Sequence, residues 1–220
     1  MVVKKIDFLK DIKILKVLYP DAHCALNFSN PFELLVATIL SAQCTDERVN
    51  RATPALFFNW PDPTKLSQAS LSVVEKTLSS INFYRNKAKN LIGMAQMLVD
   101  KFKGQVPQKL DELILLPGVG RKTANVVLGN AFHQASGIVV DTHVARLAFR
   151  MGWTKFKDPV QIEKDLIKKI PPQDWILISH LLIYHGRSIC KARRPDCQKC
   201  ALKETCPKKG VTGLKLRSSI

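Results

Sequence analysis

The 220 residues suffice for one large core or two small ones, and 46% hydrophobic with 24% charged residues is the make-up of a globular protein. Lys and Arg number 34 against 18 acidic residues, a formal net charge of +16 that points to a polyanionic partner, nucleic acid first and an anionic membrane second. No stretch of about 18 apolar residues occurs, so no membrane-spanning helix is expected.

The opening segment MVVKKIDFLKDIKILKVLYP breaks its apolar run with Lys4, Lys5, Lys10, Asp11, Lys13 and Lys16. It reads as an amphipathic helix and not as a secretion signal, so an intracellular protein is expected. The six cysteines are then expected as thiols or metal ligands rather than disulfides, with Cys24 and Cys44 as plain buried thiols. In NPFELLVATILSA, Asn30 stands as N-cap, Pro31 at the first helical position and Glu33 three residues after the cap, the logic of a capping box. Its apolar positions run nearly all round, which predicts a buried helix. Helical spacing continues through TDERVNRATPALFFNW with Thr45 as cap, SLSVVEKTLSSI, NKAKNLIGMAQMLVDKF, KLDELILL, RKTANVVLGNAF, THVARLAFRM, VQIEKDLIKKI and PQDWILISHLLIYHG. The connections NWPDPT, KGQVPQ, HQASG, GWTKFKDP and IPP carry Pro, Gly or Asn and read as linkers. GIVV at 137–140 is too short to imply a sheet, so the predicted class is all-α.

From Arg187 to Ile220 the chain holds ten Lys or Arg, two acids and four cysteines, with few apolar side chains. Hydrophobic burial alone could not order such a segment. Cys190, Cys197, Cys200 and Cys206 lie within seventeen residues, separated by six, two and five. Four thiols so placed read as a metal site. Only one Cys-x-x-Cys pair is present, whereas structural zinc usually takes two, and irregular all-cysteine spacing suits an iron–sulfur cluster; on the residues alone both metals stay open. Either would serve as the missing core. The loop between the first two ligands, KARRPD, offers Lys191, Arg193 and Arg194 to phosphates if the metal stiffens it, and is otherwise a solvated surface loop.

The stretch LPGVGRKTANVV at 116–127 resembles a phosphate-holding turn, and its spacing excludes a nucleotide loop. A P-loop ending on Lys122–Thr123 needs glycines at 116 and 121, where Leu116 and Arg121 stand. A dinucleotide fingerprint needs a third glycine where Thr123 stands. The remaining design is helix, tight turn, helix. Gly118 and Gly120 are expected to permit positive φ, and the backbone of Gly118, Val119 and Gly120 with Arg121 and the start of the next helix would grip nucleic-acid backbone without reading bases. Lys122 is then either a further phosphate contact or a nucleophile. The first turn of a helix, the neighbouring Arg121 and any burial would all disfavour the ammonium there, as a nucleophilic amine requires. Asp141 reads as a helix N-cap and equally as a carboxylate beside a cationic intermediate. His143 is a phosphate contact or an ordinary surface residue.

LPGVGRKTANVV, VDTHVAR, LSAQCTDERVN, HGRSIC and the Cys190–Cys206 cluster together resemble the endonuclease III family of bifunctional DNA glycosylases, over about residues 31–206. The resemblance implies two helical domains flanking a DNA-binding cleft: a six-helix barrel at about 24–134 ending in a helix–hairpin–helix at about 109–133, and an iron–sulfur domain made of 1–23 with 135–220. It implies a [4Fe–4S] cluster on Cys190, Cys197, Cys200 and Cys206, and as substrate double-stranded DNA with a damaged pyrimidine or an abasic site. A monomer in the bacterial cytoplasm or nucleoid, with no membrane partner, is expected. By the same resemblance Lys122 attacks the anomeric carbon of the deoxyribose and expels an oxidised, flipped-out pyrimidine. The Schiff base then permits β-elimination on the 3′ side, and Asp141 activates Lys122. Gln43 matches the glutamine that fills the hole left by the flipped nucleotide. Three departures stand out. Asn82-Phe83 replaces the usual Gly-Leu before Tyr84, making Phe83 the wedge. Cys44 replaces Ala or Thr, and the linker from Lys122 to Asp141 looks one residue longer, which HQASG is expected to absorb.

Overall fold

The computed structural model describes residues 6–211, and among these there are helices and no strands. None of the helices is long and apolar enough to cross a membrane. The chain divides into two compact units, one formed by Met1–His23 with Gly137–Ile220 and the other by Cys24–Ser136.

The unit Cys24–Ser136 holds α2 (Pro31–Ser41), α3 (Asp46–Asn59), α4 (Pro63–Ser67), α5 (Leu71–Thr77), α6 (Tyr84–Phe102), α7 (Leu110–Leu113) and α8 (Arg121–Phe132). The expected caps form. Asn30 accepts from the Glu33 N–H at 3.0 Å, and Glu33 reaches back to the Ser29 N–H at 2.6 Å, so the box closes one residue before the cap. Thr45 accepts from Arg48 N–H at the start of α3. Such caps contribute about 1 kcal/mol each. Helix α2 is the centre of the unit: every residue from Phe32 to Leu40 except Glu33 is buried, and it packs on α3, α6 and α8.

Three expectations here need correcting. The linker expected at 59–64 leads into a further single-turn helix, α4. It is capped by Asp62, started by Pro63 and pinned by the fully buried Leu66, and it packs on α6. The helix expected over KLDELILL closes only four residues as α7; the chain then goes on in turns, with Leu115 and Leu116 N–H bonded to the Glu112 and Leu113 carbonyls. Cys24 and Cys44 are half-buried, packed against the core rather than inside it.

The other unit holds α1 (Phe8–Leu18), α9 (Thr142–Arg150), α10 (Pro159–Leu166), a 3₁₀ turn (Pro172–Asp174) and α11 (Trp175–Ser188). Its core runs through Ile12, Leu15, Leu147, Trp153, Ile178 and Leu181. Asp11, 1% exposed, accepts from Trp153 Nε1 at 3.3 Å and from the Thr205 hydroxyl at 2.6 Å. A buried carboxylate is tolerated because it is hydrogen-bonded, and burial still holds its pKa above the usual value. That bond ties α1 to the cysteine-bearing segment.

Candidate nucleic-acid interface and metal centre

The hairpin is built by α7, the turn Pro117–Gly120 and α8. Gly118 takes φ +78, and a Cβ there would meet Asn90 Cβ at 3.0 Å, so both its backbone and its surroundings require glycine. Gly120 differs from expectation: its φ is −92, an ordinary value, and a Cβ there would meet nothing within 4 Å. Its missing side chain leaves the start of α8 open to a ligand rather than relieving strain. Gly120 is the N-cap and supplies no side-chain bond, so the start of α8 has uncapped N–H groups at the positive end of the helix dipole, the chemistry that suits an anion. Val119 faces inward: its side chain is buried in the core and its N–H is bonded to the Leu116 carbonyl. Arg121 and Lys122 are both exposed, as the first and second residues of α8. The burial considered for Lys122 is absent, and the helix start and Arg121 remain beside it.

Gln43 and Phe83 belong to the same unit, and both are exposed, Phe83 at 63%. Both hold left-handed backbone, φ 54 and φ 57. Phe83 is the N-cap residue of α6, and Gln43 lies just past the end of α2. Three residues around them have no role assigned from the sequence: Arg48, Lys87, and Asn82, which stood out only as half of the Asn82-Phe83 departure. Lys87 carries a signal of its own. It stands in the apolar stripe Tyr84, Lys87, Ala88, Leu91, Met94 of α6, where a lysine must find buried partners, and it is 6% exposed.

Asp141 and His143 open α9 in the other unit. Asp141 is half-buried and caps the helix, accepting from the Val144 N–H at 2.8 Å. Near it His180 is held neutral: burial and the neighbouring His23 push its pKa down to about 4, against the pull of the Asp141 carboxylate. His143 Nδ1 lies 3.1 Å from Arg146 Nη2, and at Gly186 of α11 a Cβ would meet that same ring nitrogen at 2.7 Å.

Cys190, Cys197, Cys200 and Cys206 are all free thiols and line one hollow, partly open to solvent. Burial, with repulsion from the neighbouring sulfurs, pushes Cys200 up to about 11 and also raises Cys197 and Cys206. A cation in the hollow would reverse that, because it stabilises the thiolates that burial disfavours. Arg150, Lys208 and backbone donors already face the sulfurs: Arg150 Nη1 lies 3.5 Å from Cys190 Sγ, and the Lys208 N–H lies 3.4 Å from Cys206 Sγ. His185 Nε2 is 3.4 Å from Cys200 Sγ. The residues fit a metal–thiolate group. Among the described residues no three His, Cys, Asp or Glu side chains are disposed to hold a single ion. Lys191, Arg193 and Arg194 are exposed on the loop between the first two cysteines. Arg150 grips the base of that loop through the carbonyls of Lys191 at 2.8 Å and Ala192 at 2.9 Å, and the Asp196 N–H closes it on the Ile189 carbonyl.

Residues 36–172 match the family model described as HhH-GPD superfamily base excision DNA repair protein. The chain is 54% identical over 194 residues to the endonuclease III of Synechocystis sp., covering 88% of this chain and 89% of that relative. Among solved structures it is similar to a non-covalent endonuclease III–DNA complex, with a TM-score of 0.87 at 44% identity over 94% of this chain and 97% of the other. A trapped endonuclease III–DNA covalent intermediate matches with a TM-score of 0.85 at 43% identity over the same shares.

Proposed function

We propose, for a chain that belongs to the endonuclease III family of helix–hairpin–helix base excision DNA repair proteins, that Lys122 is its nucleophile. The protein is a DNA N-glycosylase with lyase activity at abasic sites. The substrate assigned to it is duplex DNA with an oxidised pyrimidine turned out of the stack. Lys122 Nζ attacks the anomeric carbon, the glycosidic C–N bond breaks and the base leaves. The amine and the opened sugar form a Schiff base. Loss of a proton from the sugar then drives β-elimination, breaking the C–O bond on the 3′ side. Asp141 is assigned the carboxylate that activates the amine and balances positive charge on the sugar.

The observation that carries this reading is the position of Lys122: exposed, in the first turn of α8, directly behind a glycine turn whose N-cap offers no side chain. The turn and helix start, with Gly118, Gly120 and Arg121, suffice to hold phosphate, so the lysine is free for chemistry. Gln43 and Phe83 are assigned the void-filling and wedging roles, and Lys191, Arg193, Arg194 and His143 phosphate contacts. Cys190, Cys197, Cys200 and Cys206 would hold a [4Fe–4S] cluster; four thiols lining one hollow are the donor set such a cluster takes. Bound there, it would supply metal–thiolate bonds where apolar core is scarce, beside the basic loop held by Arg150.

Borohydride reduction in the presence of DNA carrying an abasic site tests the assignment. Wild-type protein is expected to give a covalent adduct and Lys122→Ala none. No adduct from wild-type protein that still binds the DNA, or full trapping by Lys122→Ala, would refute it.

A further inference from the structure

Gln43 sits third in a turn from Ser41 to Cys44, closed by the Cys44 N–H on the Ser41 carbonyl at 3.1 Å. Ala42 has φ −58 and ψ 115, and Gln43 has φ 54, the pattern of a type II turn, whose third position favours glycine. Phe83 is left-handed as well, an outlier for a bulky residue. Two exposed, strained, non-glycine residues in one unit persist only where the surroundings over-determine them.

The surroundings that do so are on one short segment. Lys87 Nζ donates to the Leu40 carbonyl at 2.8 Å and to the Ala42 carbonyl at 2.6 Å. The first is a helix-end carbonyl of α2; the second belongs to the central peptide of the turn, the group whose direction distinguishes type II from type I. The backbone N–H of the same Lys87 closes the first turn of α6 on the Phe83 carbonyl at 3.2 Å. Asn82, next to Phe83, donates its side-chain amide to the Gln43 carbonyl at 2.7 Å and accepts from Arg48 Nη1 at 2.9 Å. The carbonyls on both sides of the Gln43 residue are therefore held from the segment that carries Phe83.

We propose that Asn82, Arg48 and Lys87 are positioning residues that lock the Gln43 turn to the Phe83 corner, so that the two side chains enter the duplex as one rigid probe. The inference rests on the void-filling and wedging roles proposed above. Its physical content is preorganisation: strained loops fixed in advance need not be ordered when the nucleotide is displaced.

Two rates are measured in the full-length protein: single-turnover excision of an oxidised pyrimidine from duplex DNA, and borohydride trapping on a single-stranded abasic oligonucleotide, which has no stacked duplex to open. Melting temperatures check folding. Asn82→Ala is expected to lower the duplex rate by about threefold to tenfold, the span of one lost hydrogen bond, and to leave single-strand trapping unchanged. Asn82→Asp keeps an acceptor for Arg48 but cannot donate to the Gln43 carbonyl, and should fall as far. In a Gln43→Ala background Asn82→Ala should add nothing further. A duplex rate for Asn82→Ala within about twofold of wild type, with Gln43→Ala slow, overturns the brace and leaves the role of Gln43 standing. Equal loss in both assays, or full additivity with Gln43→Ala, overturns it by showing a general structural effect. A normal duplex rate for Gln43→Ala removes the role of Gln43 and the brace with it.

Discussion

Left-handed backbone costs a non-glycine residue roughly 1–2 kcal/mol, and the chain meets this cost in opposite ways at two turns. At Gly118, φ +78 coincides with Asn90 pressed against the missing Cβ, and glycine is the solution. At Gln43, φ 54 is kept with a long polar side chain that is exposed to solvent. Nothing in the packing asks for that side chain, so stability alone would favour glycine. Gln43→Gly is therefore expected to stabilise the protein by about 0.5–1 kcal/mol, since relief of strain exceeds the entropy lost by fixing a glycine. The readout is a higher urea midpoint at unchanged slope, together with slower excision from duplex DNA. A lower midpoint would mean that the glutamine side chain contributes to the fold. Phe83 poses the same trade at the start of α6, where the bulky ring is 63% exposed.

At the scale of elements, helix starts were legible because capping is local chemistry. Asn30, Thr45 and Asp141 each accept from an N–H three residues on, as their spacing implies. Asp62–Pro63 carries the same signal, yet α4 is five residues long, too short for apolar periodicity to register, and its stability comes from Leu66 packed on α6. Lys87 was visible as a lysine in an apolar stripe, but its partners are the carbonyls of residues 40 and 42, and sequence pattern carries no such distant pairing. Gly120 divides the expectation: the positive φ that glycine permits is not used, its φ being −92, while the bare backbone it offers a ligand is kept, since a Cβ there would meet nothing within 4 Å. The cap of Asp141 and the carboxylate role proposed for it can be separated at this scale. Asn caps as well as Asp, so Asp141→Asn should leave the melting temperature nearly unchanged, while Asp141→Ala should cost about 1 kcal/mol in α9. Both should lose most of the glycosylase rate. Full activity in Asp141→Asn would reduce the residue to a cap.

Across the whole molecule, order is sustained by two different means. The unit Cys24–Ser136 has its own apolar core from Leu26 to Leu128. Residues 190–211 of the other unit bury one apolar side chain, Leu202, which cannot offset the conformational entropy of ordering roughly twenty residues. Cys190, Cys200 and Cys206 pack partly buried against the core, and polar anchors add to them, among them Arg150 on the carbonyls of 190–192 and Thr205 on Asp11. Burial holds Cys197, Cys200 and Cys206 toward the protonated thiol, the form that makes no metal–thiolate bonds. The proposed cluster would supply what the apolar residues do not, since metal binding and folding are coupled. The purified protein is expected to be brown, with iron and sulfide and no zinc. Stripping the iron should then raise amide hydrogen exchange through 190–206 to nearly unprotected rates, while α2 and α6 keep their protection, because their burial is independent of the thiols. Unchanged protection across 190–206 in iron-free protein would show that Arg150 and Thr205 hold the segment unaided. The basic loop at 191–194 would then owe its shape to the arginine clamp and not to the metal.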